Sequence, residues 1–422
     1  MKIRKIALGV TGLMATVALL SACSSSKSSS TSGKVEIKIA TWAGADEAKQ
    51  FDKILATLNS KSKDYKITQT VIPGSDYYTK IQTMIAGQKA PDLMWLSQEY
   101  IPAYASKGAL VDLTSDLKAQ KTVNMSDYFS ASLDTAKYSG KTYGLPWISQ
   151  PYVIYYNKTD FDKASISKPS LTWTWTDFEK AATTLTTNGI YGYANDGTLP
   201  LAVPVWGEGG DIWSSSGKAA INSSEAEKGL QQLSDISTQD KMTMPYAQAS
   251  ASGATQAFVQ GKVDMIVGGA NDDIEKQVKA AGGKFEVGMA VMPAGTKKQV
   301  TFSYVASTVV SSQTKNKAIA EEAMEDVTNA MFDWKVPAPV KSAQNKLATI
   351  NPDKSYATDV IQKSMEIARG FNNLPQSADL NNSLWNKLWL PVISNNNGKG
   401  SLDIKASAES TQKEFENILS KK

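Results

Sequence analysis

Residues 144–157 read Gly-Leu-Pro-Trp-Ile-Ser-Gln-Pro-Tyr-Val-Ile-Tyr-Tyr-Asn. The second half of this stretch, from Tyr152 to Tyr156, has the β-branched and aromatic residues that are typical of a buried strand. Pro146 and Pro151 each lack a backbone N–H donor, and each disfavours helix in the residue before it. We therefore predict that a constrained, irregular connector leads into this strand.

Trp147 and Gln150 lie on the predicted connector. An aromatic face beside a polar group on a stiff segment suits the wall of a ligand cleft, where apolar surface and a few polar groups converge. Core packing is the alternative role for Trp147, because tryptophan side chains are on average largely buried. The local sequence leaves both roles open.

The chain before this stretch alternates between strand and helix patterns. The predicted order is strand, helix, strand, helix, strand, at Val35 to Ala40, Asp46 to Ser60, Tyr65 to Ile72, Asp76 to Ile85 and Ala90 to Leu96. Such alternation predicts parallel strands joined by right-handed crossovers. Ligands of open α/β sheets bind beyond the carboxyl ends of strands, so Trp42 and the turn of Gln98, Glu99 and Tyr100 are candidate contacts.

Three groups of motifs carry a family resemblance. They are Pro146-Trp147 with Tyr152 to Lys158 and Thr172 to Phe178; Pro91-Asp92 with Gly108 to Leu113; and Phe258-Val259-Gln260-Gly261-Lys262 with the strand Val263 to Val267. In order and spacing they resemble the family 1 extracellular solute-binding proteins, which are the sugar-capturing subunits of ABC importers. The resemblance implies an α/β fold of the two-lobed, periplasmic-binding-protein-like kind (type II), with a central cleft and a hinge.

The same resemblance implies how the chain divides between the lobes. Residues 144–157 cross from the first lobe to the second, and Phe302 to Val310 should cross back, which makes a hinge of two strands. We expect lobe 1 to comprise residues 34–150 and 306–350. Lobe 2 is expected to comprise residues 151–305 and 351–422.

Family positions also imply ligand contacts. In the maltose-type members, the turn after the Pro91-Asp92 strand supplies a carboxylate and polar contacts to sugar hydroxyls, and the matching residues are Glu99 and Tyr100. Those members place a carboxylate at the position of Gln150. Glutamine is neutral and can both donate and accept, so this departure predicts a different pattern of hydroxyl contacts.

Later segments add further candidates. Many members have an aromatic residue after the turn that ends at Gly269; here Ala270 and Asn271 follow, so one stacking platform is missing and Asn271 is expected to supply hydrogen bonds instead. The family's glycine-rich turn near the cleft matches Trp206 to Asp211, with core packing as the alternative role for Trp206. The complete set of predicted ligand contacts is Trp42, Glu99, Tyr100, Trp147, Gln150, Trp206, Glu208, Asn271, Tyr304 and Arg369.

The N-terminus has the pattern of a targeting segment. Basic residues precede an apolar run from Ile6 to Leu20, which is short for a membrane-spanning helix and typical of a secretory signal. Leu20-Ser21-Ala22-Cys23 resembles a bacterial lipobox. The resemblance implies a signal peptide at residues 1–22 and palmitate-type lipidation of Cys23. Residues 23–33 would then form a serine-rich tether that holds the protein at the cell membrane. The alternative is a plain signal peptide with an incidental cysteine. The lipobox and tether favour a Gram-positive host.

Composition excludes several chemistries. The chain has no histidine and one cysteine, so Ser-His-Asp and Cys-His catalysis are absent, and we predict no metal site and no cofactor. The formal charge of +4 falls to +1 without Lys2, Arg4 and Lys5 (4 − 3 = 1), and without a basic run we expect no nucleic-acid partner. Glycoside hydrolysis needs only two carboxylates, so Glu99 with Glu208 is an unfavoured but open alternative.

These observations together predict a monomeric, lipid-anchored protein that binds a carbohydrate, expected to be an oligosaccharide, and delivers it to the permease of an ABC importer. The prediction is that it is not an enzyme. Two alternatives remain from other classes: a binding protein for a peptide or polyamine, and a surface scaffold or adhesin that has lost transport. Polyamine sites need several acids along the cleft, whereas the aromatic content here favours sugar.

Overall fold

A computed structural model describes residues 33–119, 123–187, 189–239, 241–334, 337–394 and 402–421. The predicted signal peptide, Cys23 and the tether up to residue 32 lie outside the described residues.

The strands in the described part of the chain are β1 (Val35–Thr41), β2 (Tyr65–Val71), β3 (Leu93–Ser97), β4 (Lys137–Tyr138), β5 (Lys141–Thr142), β6 (Gly144–Asn157), β7 (Tyr193–Ala194), β8 (Thr243–Met244), β9 (Met265–Gly269), β10 (Val287–Ala290), β11 (Thr301–Val310) and β12 (Ala368–Arg369).

The α-helices are α1 (Ala45–Lys61), α2 (Tyr77–Ala86), α3 (Ile101–Ser106), α4 (Thr114–Ala119), α5 (Ser130–Asp134), α6 (Lys158–Lys163), α7 (Trp175–Leu185), α8 (Ala202–Gly207), α9 (Ser224–Thr238), α10 (Tyr246–Ser252), α11 (Ala254–Val259), α12 (Ile274–Ala280), α13 (Lys317–Met331), α14 (Leu347–Ile350), α15 (Thr358–Glu366), α16 (Ser377–Leu384), α17 (Leu390–Ser394) and α18 (Ile404–Ser420). Short 3₁₀ helices cover Met125–Asp127, Lys341–Lys346 and Pro352–Ala357, and a π turn covers Trp385–Trp389.

One sheet runs through both lobes in the order β2-β1-β3-β11-β6-β9-β7-β8, with β10 paired to β6 and β12 paired to β11. β1 pairs in parallel with both β2 and β3, which confirms the predicted parallel order of the first three strands. Their carboxyl ends therefore meet at one edge, where Trp42 follows β1 and Glu99 and Tyr100 follow β3.

Strand β6 corrects one prediction. The segment before Tyr152 is not an irregular connector, because Gly144–Asn157 forms a single strand of 14 residues. The irregularity lies in the pairing with β11 instead. Ala306 pairs with Ile148 and Ser307 pairs with Pro146, so the register shifts there and Trp147 is the extra residue of β6. A bulge at this point accommodates a proline that cannot donate to the ladder.

β6 and β11 are the two strands shared by the lobes. Residues 144–151 of β6 pair with β11, and residues 152–156 pair with β9 of the second lobe. β11 in turn pairs with β12 at Thr301 and Phe302, and with β3 of the first lobe from Ala306 onward. Two chain crossings at the centre of one sheet are therefore present, as the sequence predicted.

The apolar cores follow the same division. One large cluster draws its residues from 37–148 and 306–343, and another from 154–300 and 380–418. Each lobe thus buries its own core from two separate chain segments, which is the arrangement of a two-lobed fold. The numerical lobe boundaries given above stay a prediction.

Candidate functional site

A cavity of about 200 Å³ lies where the two lobes meet. Its walls come from the turn after β3, from β11, from the segment after β12, from α16 and from the π turn. The lining residues are Gln98, Glu99, Phe302, Tyr304, Phe371, Asn373, Asn381, Leu384 and Trp389. This central cavity therefore combines aromatic rings with carboxamide side chains and one carboxylate.

Four residues of the central cavity carry a buried polar atom that has no hydrogen-bond partner among the described residues. These atoms are Gln98 Oε1, Asn373 Oδ1, Asn381 Oδ1 and Trp389 Nε1. Buried polar atoms are nearly always hydrogen-bonded in proteins, because an unpaired one loses its interactions with water. Several such atoms around one cavity make it a candidate site for a polar ligand that would supply the missing partners.

Glu99 is the carboxylate of the central cavity, and a hydrogen-bond chain orients it. The Tyr78 hydroxyl lies 2.6 Å from Ser97 Oγ, and Ser97 Oγ donates to Glu99 Oε1 over 2.8 Å. Burial raises the pKa of Glu99 above its usual range, although the hydrogen bonds from its own backbone N–H and from Ser97 oppose this shift. One carboxylate oxygen is thus held in place by the protein while the group still lines the cavity.

The aromatic residues predicted at this edge pack beside the turn that carries Glu99. The Tyr100 ring stacks on Tyr78 with centroids 3.5 Å apart and planes 9° apart. Trp42 packs edge-on against Tyr77 at 5.1 Å and Trp95 at 5.5 Å. Trp42 and Tyr100 are partly exposed, but neither lines the central cavity.

Tyr304 projects from β11 into the central cavity, next in register to Gln150 of β6. Burial and the nearby charge of Glu99 raise the pKa of Tyr304, so its hydroxyl stays protonated and can donate. Of the predicted contacts, the structure thus brings Glu99 and Tyr304 together in this cavity.

A second cavity of about 360 Å³ adjoins the first, and the two share Phe371 and Asn373. Arg369 lines it from lobe 2, and Asp134 and Lys137 line it from lobe 1. Arg369 Nη2 lies 2.6 Å from Asp211 Oδ2, and its guanidinium carbon lies 4.4 Å from the centre of the Trp206 ring. This position fixes the arginine at the margin of the cleft.

Gln150 and Asn271 lie on the other side. Gln150 Nε2 donates to Asp272 Oδ1 over 2.9 Å, and the same aspartate accepts from the backbone N–H of Gly269 over 2.8 Å. Asn271 lines a third cavity of about 370 Å³ together with Gln50 and Trp334. Among the residues that the structure describes, that cavity shares no lining residue with the other two.

Three predicted contacts are buried away from the cavities. Trp206 is fully buried, and its Nε1 donates to Asp211 over 2.9 Å, so it supports Arg369 rather than presenting a face to a ligand. Glu208 accepts a hydrogen bond from the Thr296 backbone N–H over 3.0 Å. Trp147 is 4% exposed and packs 4.5 Å from Trp95, so the core-packing alternative describes its position.

The sequence reasoning missed most of the central cavity. Asn373, Asn381 and Trp389 were not proposed as contacts, and Gln98 was considered only as part of the turn after β3, although in the described part of the chain each carries an unpartnered polar atom. A usable signal was present for Asn381 and Trp389, which lie eight residues apart on the helix-like segment after Asn373 and can share one face.

The fold is that of a two-lobed binding protein, and the central cavity is its candidate ligand site. The chain belongs to the family of bacterial extracellular solute-binding proteins, whose model matches residues 44–330, more than half of its length. The predicted family and fold class are therefore confirmed. No helix in the described ranges is long and apolar enough to cross a membrane.

Individual relatives agree with this assignment. The chain is 24% identical over 393 residues to the maltodextrin-binding protein of Bacillus subtilis (strain 168), which covers 86% of both chains. An ABC substrate-binding protein from Listeria monocytogenes in complex with cycloalternan is 23% identical, with a TM-score of 0.76 over 92% of this chain and 100% of that one. A sugar-binding protein from Xanthomonas citri is 15% identical, with a TM-score of 0.78 over 92% and 98%.

Proposed function

We propose that this chain captures a carbohydrate at the outer face of the cell membrane and delivers it to the permease of an ABC importer. The observation that carries the proposal is the central cavity, where three carboxamide oxygens and one indole N–H have no partner among the described residues and lie beside aromatic rings. Relatives that are described as maltodextrin-binding and sugar-binding proteins support the same ligand class.

The chemistry of the cavity suits a sugar ring. Pyranose rings have apolar C–H faces and a rim of hydroxyl groups. The apolar faces pack on Phe302, Phe371 or Trp389, while the hydroxyls donate to the carboxamide oxygens and to Glu99. A ligand that fills both requirements removes the penalty of the unpaired buried atoms.

Closure about the hinge is the proposed capture step. β6 and β11 connect the lobes, so bending at Gln150–Pro151 and at Ser303–Tyr304 changes the distance between the cleft walls. Closure excludes water from the hydrogen bonds and presents both lobe surfaces to the permease. The ligand shifts this equilibrium by its preference for the closed state.

The anchor follows from the N-terminal sequence. Cys23 is the only cysteine of the chain and lies within the lipobox-like Leu20-Ser21-Ala22-Cys23, which supports lipidation at that thiol. A monomer on a serine-rich tether then stays close to the permease. Mass spectrometry of Cys23→Ala beside the unchanged chain, after membrane fractionation, tests the anchor: the variant should lose both the lipid mass and the membrane association.

The cavity disfavours the alternatives. Its lining contains one carboxylate, whereas a polyamine needs several acids. Glu208 does not line this cavity and is bound to Thr296, so it cannot act with Glu99 as the pair that glycoside hydrolysis requires. A scaffold that has lost transport would have no need for unpartnered buried polar atoms at one place.

Thermal shift and calorimetry against sugars, peptides and polyamines test the proposal. We expect one class of sugar to raise the melting temperature and to bind with a dissociation constant near the micromolar range, about −8 kcal/mol. Asn381→Ala should weaken this binding, and Asn386→Ala, an exposed asparagine of the same segment, serves as the matched control. Binding of a peptide or polyamine in place of every sugar would overturn the assignment.

A further inference from the structure

The central cavity is small for an oligosaccharide. Its volume is about 200 Å³, whereas sites that enclose drug-sized ligands measure roughly 300 to 1,000 Å³. This space suits one sugar ring and not a chain of rings. Its unpartnered polar atoms belong to residues from both lobes, Gln98 on one side and Asn373, Asn381 and Trp389 on the other, so a ring in this cavity would lie between the lobes.

The cavity continues in one direction. Phe371 and Asn373 line both it and the second cavity of about 360 Å³, whose lining also includes Lys137 and Arg369. Lys137 is partly exposed and pairs with Asp134 at 2.7 Å, which leaves polar surface along this path. A chain of sugar units can therefore extend from the central cavity past Phe371 toward Lys137.

Side chains occupy the other side of β11, where this strand pairs with β6 and not with β12. Gln150, the register neighbour of Tyr304, lies against the backbone of Gly269, where an added Cβ would be 1.7 Å from Gln150 Nε2. The hydrogen bond from Gln150 to Asp272 spans the space between β6 and the turn after β9. The third cavity beyond this turn shares no lining residue with the central one.

From these three observations we propose that the protein recognises the end of a linear oligosaccharide: one terminal unit occupies the central cavity, and the following units lie over the second cavity toward Lys137 and Arg369. This inference rests on the proposed function. It assigns Gln98, Asn373, Asn381 and Trp389 to the terminal unit and Lys137 to the following ones. A sugar without a free end, or with a bulky group on the terminal unit, does not fit.

Calorimetry on the full chain, purified in detergent, tests the inference. Gluco-, arabino- and N-acetylglucosamine oligosaccharides of about one to six units are compared first, and the series that binds best is used. Each is compared with a methyl glycoside that blocks the reducing end and with a bulky acetal on the non-reducing unit. We expect only one of the two blocks to weaken binding, by about a hundredfold, because it leaves buried polar atoms unpaired. A cyclic counterpart of the same series should not bind.

Two variants separate the subsites. Asn381→Ala should weaken binding of every chain length, including the single unit. Lys137→Ala should leave the single unit unchanged and weaken longer chains by about twofold to fivefold, the range of an exposed polar contact. Asn386→Ala should change neither.

The outcomes are distinct. Equal tolerance of both blocked ends, or cyclic sugar bound as well as linear, overturns end recognition and leaves carbohydrate capture intact. Failure of all sugars, with a peptide or polyamine bound instead, overturns the proposed function together with this inference.

Discussion

Lys354 Nζ lies 3.0 Å from Glu275 Oε2, and both side chains are at least nine-tenths buried. Lys354 also donates to the Tyr155 hydroxyl over 3.0 Å, and Tyr155 donates to the backbone carbonyl of Gly269 over 2.9 Å. Tyr155 belongs to the shared strand β6. The ion pair therefore fixes the turn after β9, against which Gln150 packs, to the centre of the sheet.

Removing one partner of this pair should destabilise the protein strongly. Lys354→Ala leaves Glu275 buried without its cation, and we expect a loss of about 3–5 kcal/mol in the free energy of unfolding. Urea denaturation measures this loss. The double variant Lys354→Met with Glu275→Leu should recover most of it, because apolar side chains of similar volume remove both buried charges. A double variant as unstable as Lys354→Ala would show that the pair itself stabilises the fold.

Glu99→Gln should weaken sugar binding by about 1–3 kcal/mol, since a carboxylate accepts stronger hydrogen bonds than an amide. Burial raises the pKa of Glu99, so the affinity of the unchanged chain should fall as the pH is lowered through a range above that of an ordinary glutamate. Calorimetry in steps of about one pH unit between roughly pH 4 and 8 measures this change in affinity. In Glu99→Gln the same titration should be flat, and a persistent pH dependence would assign the effect to another group.

Trp389→Ala and Trp147→Ala should have different effects, although both remove an indole ring. Trp389 lines the central cavity, and its loss should cost about 2 kcal/mol or more of binding free energy. Trp147 is buried against Trp95, so its loss should cost about 3–5 kcal/mol of stability instead. The local sequence left the role of Trp147 open, and the family resemblance placed it among the predicted contacts. Calorimetry and thermal denaturation on the two variants distinguish the assignments, and a Trp389→Ala variant of unchanged affinity would exclude that side chain from the site.

Asp264 should make stability depend on pH. It is 2% exposed, and burial followed by the charge of Asp160 raises its pKa from 3.8 to about 7. The folded state therefore holds a proton that the unfolded chain releases between about pH 4 and 7, so stability from this group falls as the pH rises through that range and is constant above it.

Asp264→Asn should remove this contribution. At pH 8 we expect the variant to be more stable than the unchanged chain by on the order of 1–3 kcal/mol, and at pH 4 the two should be similar. Asn157 Nδ2, which donates to Asp264 over 3.1 Å, keeps an acceptor in the variant. Urea denaturation at both pH values measures the difference. The nearby charge of Lys163 lowers the pKa of Asp264 and opposes these effects. Greater stability of the unchanged chain at pH 8 would show that this charge outweighs the burial of the carboxylate.

Much of the fold could be predicted from short stretches of sequence. The alternation of strands and helices before Ser97, and the two apolar runs that became β6 and β11, depend on local periodicity and on β-branched content, which neighbouring residues decide. Glu99 could be placed because it follows directly on a parallel strand, and such strand ends lie at the ligand edge of the sheet.

The rest of the site depended on the tertiary structure. Trp206 and Trp147 have the same side chain as Trp389, but only Trp389 lines the central cavity, because the packing of chain segments far apart in sequence decides which face of a strand or helix is covered. Gln98 and Asn381 are separated by 283 positions (381 − 98 = 283), and their unpartnered oxygens reach one cavity only through the meeting of two lobes. The sequence by itself determined the family, the order of elements and one edge of the cleft. The tertiary structure decided which side chains meet inside the cleft, because burial and contact across the cleft are properties of the folded chain and not of any local pattern.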